Sequence, residues 1–358
     1  MTKPSSALEY IRHGQTPFFR LPLAGPGEAG GQLGDPSRFA GARAVLLGVP
    51  WDSGTTYLPG ARVAPYHVRR VSAFVSSHHP KHRLDVFEQV PTLDGGNVPV
   101  TPFSSSMMRE AVRAEITAVL KAGAAPFVIG GDHSITTPIL QAIHAIHGPV
   151  CVLHVDAHFD TSTGELWGDD FHHGTPIRHA LADKLISPGG LFQVGLRGGW
   201  KDGAEAEFSL AHDARLFPAA LFEQRSAASV ADEIKTAIGD RPLYLSVDVD
   251  GVDPAFCPGT GTPVPGGLSS RELLCLLDNL AGAKIMGMDL VEVSPPHDHA
   301  DLTSMFAAHC LFSGLGLLAV AEGGAATTRR SRGGEEGTEG SDDLRGWSRI
   351  NQDLRFGA

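Results

Sequence analysis

The chain has 358 residues, 42% apolar and 19% charged, enough for one large α/β domain or two small ones around a filled core. Its formal charge of −11 argues against non-specific nucleic-acid binding, and the plainest reading of that charge is solubility. The opening MTKPSSALEYIRHGQ lacks the apolar segment of a secretory signal, no run reaches the ~18 apolar residues of a membrane span, and Cys151, Cys257, Cys275 and Cys310 show no CxxC spacing, so the expectation is a cytoplasmic protein with reduced thiols.

Residues 1–40 are rich in Pro, Gly and Ser, with HGQTPFFRLPLAG as their only apolar piece, and read as an irregular arm. ARAVLLGVPWD, 42–52, is a short apolar strand ending in a loop broken by Gly54, Gly60 and Pro65. VAPYHVRRVSAFVSS then reads as a helix, and MMREAVRAEITAVLKAG, 107–123, as an amphipathic helix stopped by Gly123. PFVIGGDHS is a strand running into Gly130 and Gly131, ITTPILQAIHAIHG the helix after it, and PVCVLHVDAHFD the next strand. There follow the strand LFQVGLRG, the helix VADEIKTAIG, the strand LYLSVDVDGVD, the helix SRELLCLLDNLA, the strand KIMGMDLVEVS and a last helix over roughly 302–314. Strands alternating with helices predict a mostly parallel sheet covered on both faces, in a domain spanning 41–322. From Gly323 the sequence turns small, charged and aperiodic, which predicts a flexible tail over 323–358, with Trp347 and Phe356 available for docking. Arg329, Arg330 and Arg332 are offset by the acids of GEEGTEGSDD, so no basic stripe marks a nucleic-acid site.

The chemistry concentrates where strands end. Side chains alternate along a strand, so His154, Asp156, His158 and Asp160 share one face if HVDAHFD stays extended. SVDVDGVDP repeats the device with Asp248 and Asp250, and GGDHS adds His133 at the exit of a third strand. In open parallel sheets, ligands bind beyond the carboxyl ends of the strands, so these distant segments can converge. Asp156, Asp160, Asp248 and Asp250 would then bring four negative charges into one cleft, with few cationic side chains in these segments to offset them. Two divalent cations would balance that charge. Four carboxylates and two imidazoles suit such a pair, and the absence of sulfur favours Mn²⁺-like ions.

GGDHS, DAHFD and SVDVDGVDPAFCPGTGTPVPGG closely resemble, in order, the three signature blocks of the ureohydrolases, the arginase/agmatinase family. The likeness runs from about residue 43 to 322, and VLLGVPWDSGTTYLPGARVAP resembles the family's early substrate-side loop. The resemblance implies a three-layer α/β/α sandwich with a central, mostly parallel sheet of about eight strands, assembled as a trimer or hexamer. It implies that His133, Asp156, Asp160 and Asp248 hold one metal, that Asp156, His158, Asp248 and Asp250 hold the other, and that Asp156 and Asp248 bridge. FHHGTPIRHA resembles the loop of the proton-shuttling histidine, which falls on His173, with His172 one residue away as the alternative. VEVSPPHD matches the segment whose glutamate, here Glu292, holds the guanidinium, and Glu292 also lies at the end of a buried strand.

Read this way, a small guanidino substrate is hydrolysed to urea and an amine. Paired cations acidify a shared water, Glu292 orients the guanidinium, His173 protonates the leaving amine, and Asp160 counts as both ligand and catalytic group. The loop TSTGELWGDDFHHG lacks the Asn-rich pattern of arginases, so L-arginine is not expected. Asp169 could read a second cation there, Trp167 could close over a small substrate, and His172 stands beside them. PGTGTPVPGG is typical of agmatinases and guanidinobutyrases, which favours an agmatine- or guanidinobutyrate-type substrate. Guanidine and biguanide hydrolases share these blocks, which keeps Ni²⁺ and a mixed oligomer as alternatives. A zinc deacetylase shares the fold and an Asp-x-His pair, but it places its tandem histidines before the DAH motif and needs one metal rather than two. A silent subunit would lose ligands, whereas this chain keeps all six with His173 and Glu292. Cys257, where small apolar residues are common, reads as a packing thiol.

Overall fold

The strands of the chain are β1 (Ala44–Gly48), β2 (His78–His79), β3 (Leu84–Asp85), β4 (Thr92–Asn97), β5 (Ala125–Ile129), β6 (Val150–Val155), β7 (Ile186–Val194), β8 (Arg215–Phe217), β9 (Pro242–Asp248) and β10 (Lys284–Val291). They come from a computed structural model that describes residues 17–25, 27–28, 32–165, 167–199 and 203–331, with side chains to 323. The tail residues Trp347 and Phe356 and the N-terminal 1–16 lie outside the described residues. Eight strands form one sheet in the order β4-β1-β5-β10-β9-β6-β7-β8, and every pairing in it is parallel. β2 and β3 form a separate antiparallel pair.

The strands are apolar along their whole length because both faces are covered. Ala44, Leu46, Phe127, Ile129, Leu153, Val155, Leu243 and Leu245 feed one core, while Val45, Leu47, Val128, Val152 and Tyr244, one residue out of step, feed the other. Helices Ala64–Ser72, Ala227–Ile238 and Ser270–Asp278 cover the first core, together with residues 306–319 of helix Leu302–Ser331. Helices Ser105–Lys121, Thr136–His147 and Pro176–Ala182 cover the second, which makes three layers. Local signals set the helix starts. Ser104 caps Ser105–Lys121 through Met107 N, and Ser269 with Glu272 forms a capping box.

Several elements escaped the sequence reading. β4 and β8 are the two edges of the sheet, and their segments TLDGGN and RLF are too glycine-rich or too short to register. Within the irregular arm, Phe18 and Phe19 are fully buried in the first core, and Phe18 N donates to the buried Asp94 Oδ2 at 2.9 Å. One expectation is corrected. Leu302–Gly323 is long and apolar enough to cross a membrane, although His309, Ser304 and Ser313 disguise it, and 78% of its most apolar window is buried in the protein itself.

The topology builds the site. The chain leaves β5 and enters β6 three places away, and β10 and β9 later fill the gap. Because the four are parallel, their carboxyl ends lie side by side on one edge of the sheet. Gly131, just past β5, has φ +36°, and a Cβ there would stand 2.2 Å from the Trp51 carbonyl oxygen. Only glycine lets the GGDHS turn pass beneath Trp51, where Asp132 N donates to that same oxygen at 2.8 Å.

Candidate metal centre and its cleft

The extended reading of HVDAHFD and SVDVDG does not hold. β6 stops at Val155, and Val249–Gly251 is a single 3₁₀ turn. The carboxylates themselves bend the chain by taking backbone N–H groups. His158 N donates to Asp156 Oδ1 at 2.6 Å, Ala157 N to Asp250 Oδ1 at 3.0 Å, and Asp250 N to Asp248 Oδ1 at 2.7 Å. Asp160 sits at φ +55°, so its side chain returns to the site by a turn rather than by strand alternation.

Two donor groups result. In the first, His133 Nδ1 lies 3.1 Å from Asp156 Oδ2, 2.9 Å from Asp160 Oδ2 and 3.4 Å from Asp248 Oδ2. His154 Nε2 joins it, 3.1 Å from Asp156 Oδ2. The second group is Asp156, His158 and Asp250, with His158 Nδ1 3.2 Å from Asp156 Oδ1 and 3.1 Å from Asp250 Oδ2. Asp156 belongs to both. Asp248 touches the first group through Oδ2 but falls outside the second as the side chains lie.

His133 Nδ1, His154 Nε2, Asp156 Oδ2 and Asp160 Oδ2 are buried and satisfied by no well-aligned hydrogen bond. Buried polar atoms of that kind call for a missing partner, and nitrogen and carboxylate oxygen aimed at one point fit a divalent cation. The charges agree. Burial, then Asp250 and Asp156, hold the Asp248 carboxyl well above its usual range, and burial, then Asp156, raise that of Asp250. His133 is anchored from behind: its Nε2 meets Ser246 Oγ at 2.9 Å, which donates to the buried Asp289 at 2.7 Å. This leaves Nδ1 facing the carboxylates. A third donor group, His79, His82 and Asp278, lies elsewhere. There His79 Nδ1 accepts from His82 N at 3.4 Å, so the ring proton sits on Nε2 toward Asp278, and the group is a hydrogen-bonded cluster.

Above the donors is a cleft lined by Thr56, His158, Asp160, Trp167, His173 and Glu205 among others. His173 Nδ1 is 3.1 Å from Glu292 Oε1, and its Nε2 meets Thr56 Oγ1 at 2.7 Å and Thr56 N at 3.2 Å. Burial works against a charged ring here, but Glu292 outweighs it, and the His173 pKa rises to about 9. Glu292 itself is buried behind His173, at φ +62°, and also accepts from His133 N at 2.8 Å. It is not among the residues that line the cleft. His172 lines the cleft but serves its own loop: Nδ1 accepts from Gly174 N at 3.1 Å, Nε2 faces Thr163 O at 3.4 Å, and burial lowers its pKa. Phe171 pins this loop, stacked on His179 at 4.2 Å with Arg109 over its ring at 3.6 Å.

Trp167 lines the cleft, half exposed, as its loop position suggested. Asp169 does not. Its carboxylate accepts from Phe171 N at 2.9 Å and is spent on shaping the loop. Besides Asp160 and Asp248, an acid that does line the cleft is Glu205, from helix Ala204–Ala211. No motif marks it, although it follows the carboxyl end of β7, where the strand-end rule would have placed a candidate. The motif reading gave His154 no role, although it shares a strand face with Asp156 and stands in the first donor group.

Residues 42–316 match the model of the arginase family. The chain belongs to the arginase family. Among arginase-family proteins it is 41% identical over 263 residues to proclavaminate amidinohydrolase of Streptomyces clavuligerus, a match covering 74% of this chain and 84% of that one. It is 36% identical to the mitochondrial agmatinase of Gallus gallus (78% and 82% covered) and 34% identical to guanidinobutyrase of Pseudomonas aeruginosa (79% and 88%). The solved structure of the S. clavuligerus enzyme superposes with a TM-score of 0.79 at 38% identity, covering 86% of this chain and 98% of that one. The eight-stranded parallel sheet is thus an arginase-family fold, and the chain is a C–N hydrolase of the agmatinase-like branch.

Proposed function

We propose that this arginase-family chain hydrolyses a small guanidino compound to urea and an amine. In this reading His133, Asp156, Asp160 and Asp248 hold one divalent cation, and Asp156, His158, Asp248 and Asp250 hold a second. The observation that carries it is the set of buried, unsatisfied donor atoms at the foot of a cleft whose wall bears His173, with Glu292 buried behind that ring. When bound, the cations supply the positive charge that brings the pKa of water toward neutrality. His173 holds the proton that the departing amine needs, on Nε2, where Thr56 Oγ1 can accept a hydrogen bond from it and Thr56 N can donate to the lone pair freed once the proton has left. Glu292 holds the other ring nitrogen from behind, and the family resemblance, rather than the cleft lining, supports a hold of its carboxylate on the guanidinium. Oxygen and imidazole donors without sulfur support Mn²⁺, with Ni²⁺ as the alternative. The resemblance to the family supports a homotrimer or homohexamer, and the composition supports a cytoplasmic setting.

The cleft's charge favours a guanidino amine over a guanidino acid. Among the described residues lining it there is no Lys or Arg to meet a carboxylate, while Glu205, which lies outside the ligand set, lines it. Urea release should therefore be fastest with agmatine in a panel that includes guanidinobutyrate, guanidinopropionate, guanidine and a biguanide, run with Mn²⁺ and separately with Ni²⁺. Glu205→Gln should lower kcat/KM for agmatine about tenfold and leave guanidine unaffected. Faster turnover of the acids would overturn the substrate assignment, and no urea from any compound would overturn the function.

Loading should also be strongly pH-dependent. Burial opposes a charged His158, but Asp250 and Asp156 outweigh it and push its pKa up to about 12; burial opposes a charged His133 too, but Asp160, then Asp156 and Asp248, outweigh it and raise its pKa well above the usual value. The metal-free site therefore carries protons at neutral pH that a cation must displace. Each displaced proton makes apparent affinity fall about tenfold per pH unit lowered. Calorimetry with Mn²⁺ in buffers of different ionisation enthalpy should show proton release at pH 7.5, and an enthalpy independent of buffer would contradict it.

A further inference from the structure

We propose that His154 is a positioning residue for the Asp156 carboxylate, and that Gln193 fixes it in that role. The inference rests on the two-cation reading above and adds a group that reading does not use. His154 lies on β6 two residues before Asp156 and is fully buried, with Nε2 3.1 Å from Asp156 Oδ2 and 3.9 Å from Asp160 Oδ2. A nitrogen so placed is either one more ligand or a hydrogen-bond donor.

The far side of the ring decides between them. Gln193 is the register partner of His154 on β7, and it too is fully buried. Its side-chain nitrogen donates to the Phe159 carbonyl at 2.9 Å and also lies 3.1 Å from His154 Nδ1. A carbonyl can only accept, so Phe159 requires the NH₂ of the amide rather than its oxygen. The same NH₂ then faces His154 Nδ1, which must be the accepting nitrogen. The ring proton is left on Nε2, 3.1 Å from Asp156 Oδ2 though not in line with it, so the pair closes into a hydrogen bond on a small turn of the carboxylate. A nitrogen that carries its proton there donates and does not ligate.

Asp156 needs such a partner. Oδ1 is held by His158 N at 2.6 Å, whereas Oδ2 has no aligned hydrogen bond and lies 3.1 Å from His133 Nδ1. With His154 behind Oδ2 and His158 N on Oδ1, the carboxylate plane is held so that each oxygen faces one donor group. Phe159 belongs to the loop that carries Asp156, His158 and Asp160, so Gln193 ties that loop and the ring to one another. A buried polar pair between two central strands costs stability unless it is hydrogen-bonded, and packing alone gives no reason for it.

The test is titration of the metal-free protein with Mn²⁺, following affinity by calorimetry and the number of coupled imidazole nitrogens by pulsed electron paramagnetic resonance. His154→Leu should weaken the tighter site 10- to 100-fold or so, and His154→Gln, which keeps a donor, should recover most of that loss. Gln193→Leu should weaken loading in the same direction while leaving His154 in place. Two coupled imidazoles are expected in the wild type. A third, or unchanged affinity in folded His154→Leu or Gln193→Leu, or no recovery in His154→Gln, would overturn the role. A wild type that binds no cation would instead sink the metal centre itself.

Discussion

Asp248→Asn should weaken cation binding more than about 100-fold and turnover more than about 10³-fold, while the metal-free protein becomes no less stable. The substitution is close to isosteric. Asn can keep the bond that Asp248 Oδ1 accepts from Asp250 N at 2.7 Å, so the 3₁₀ turn after β9 survives. What it loses is a negative charge 3.4 Å from His133 Nδ1, at the position the family resemblance makes a bridge between the cations. Metal-ligand supports in the next layer out are worth 10- to 100-fold in affinity, so a shared ligand should exceed that. Stability runs the other way. Burial, then Asp250 and Asp156, raise the Asp248 pKa, so the native state binds more protons than the unfolded chain above pH ~4. Ionising Asp248 therefore costs stability increasingly as pH rises from ~4, and Asn removes the cost. Melting curves in chelator at pH 5 and 8 should show the variant's advantage growing with pH. Full turnover with two bound cations would remove Asp248 from the centre.

The strand ends were legible in the sequence because each is a run of apolar residues closed by Asp or His, as in VCVLHVD and LYLSVD. The direction of each side chain was not. Alternation assumes that backbone N–H groups go to a neighbouring strand, whereas those of Ala157, His158 and Asp250 go to the carboxylates of Asp250, Asp156 and Asp248, which ends the strands early. The positive φ of Asp160 and Glu292 is equally hidden: Asp enters the left-handed region more often than most residues but still rarely, and Glu carries no such preference. Asp169 follows a recognised motif closely and so stands out in the sequence, whereas Glu205 does not; proximity in sequence says nothing about whether a carboxylate bonds its own loop. Gln193 carried no signal, because its meaning lies in the register of β6 with β7.

His173→Ala should lower kcat by about 10²- to 10⁴-fold with little change in KM or in cation affinity. His173 and His172 are adjacent, and the sequence left the proton donor open between them. Their surroundings separate them. Burial holds His172 below its usual pKa, and both its nitrogens are occupied by Gly174 N and Thr163 O, so it stays neutral. For His173, Glu292 outweighs burial and raises the pKa to about 9, so the proton-carrying form persists across the neutral range and is lost only as pH climbs past that value. A departing amine needs a proton at the moment of C–N cleavage, and general acid catalysis of this kind carries about 3 to 5 kcal/mol of the barrier. Glu292→Gln should act on the same proton. With its raising partner neutral, the ring's pKa should fall, and kcat should decline from a lower pH upward. Added imidazole should restore part of the His173→Ala activity but none of that lost in Asp248→Asn, because a free base can replace a proton carrier and cannot replace a ligand. His172→Ala should disturb the loop and raise KM while sparing kcat. If His172→Ala proved the slower enzyme at saturating substrate, the proton would have to come from the other ring, and the contact between His173 and Glu292 would be structural only.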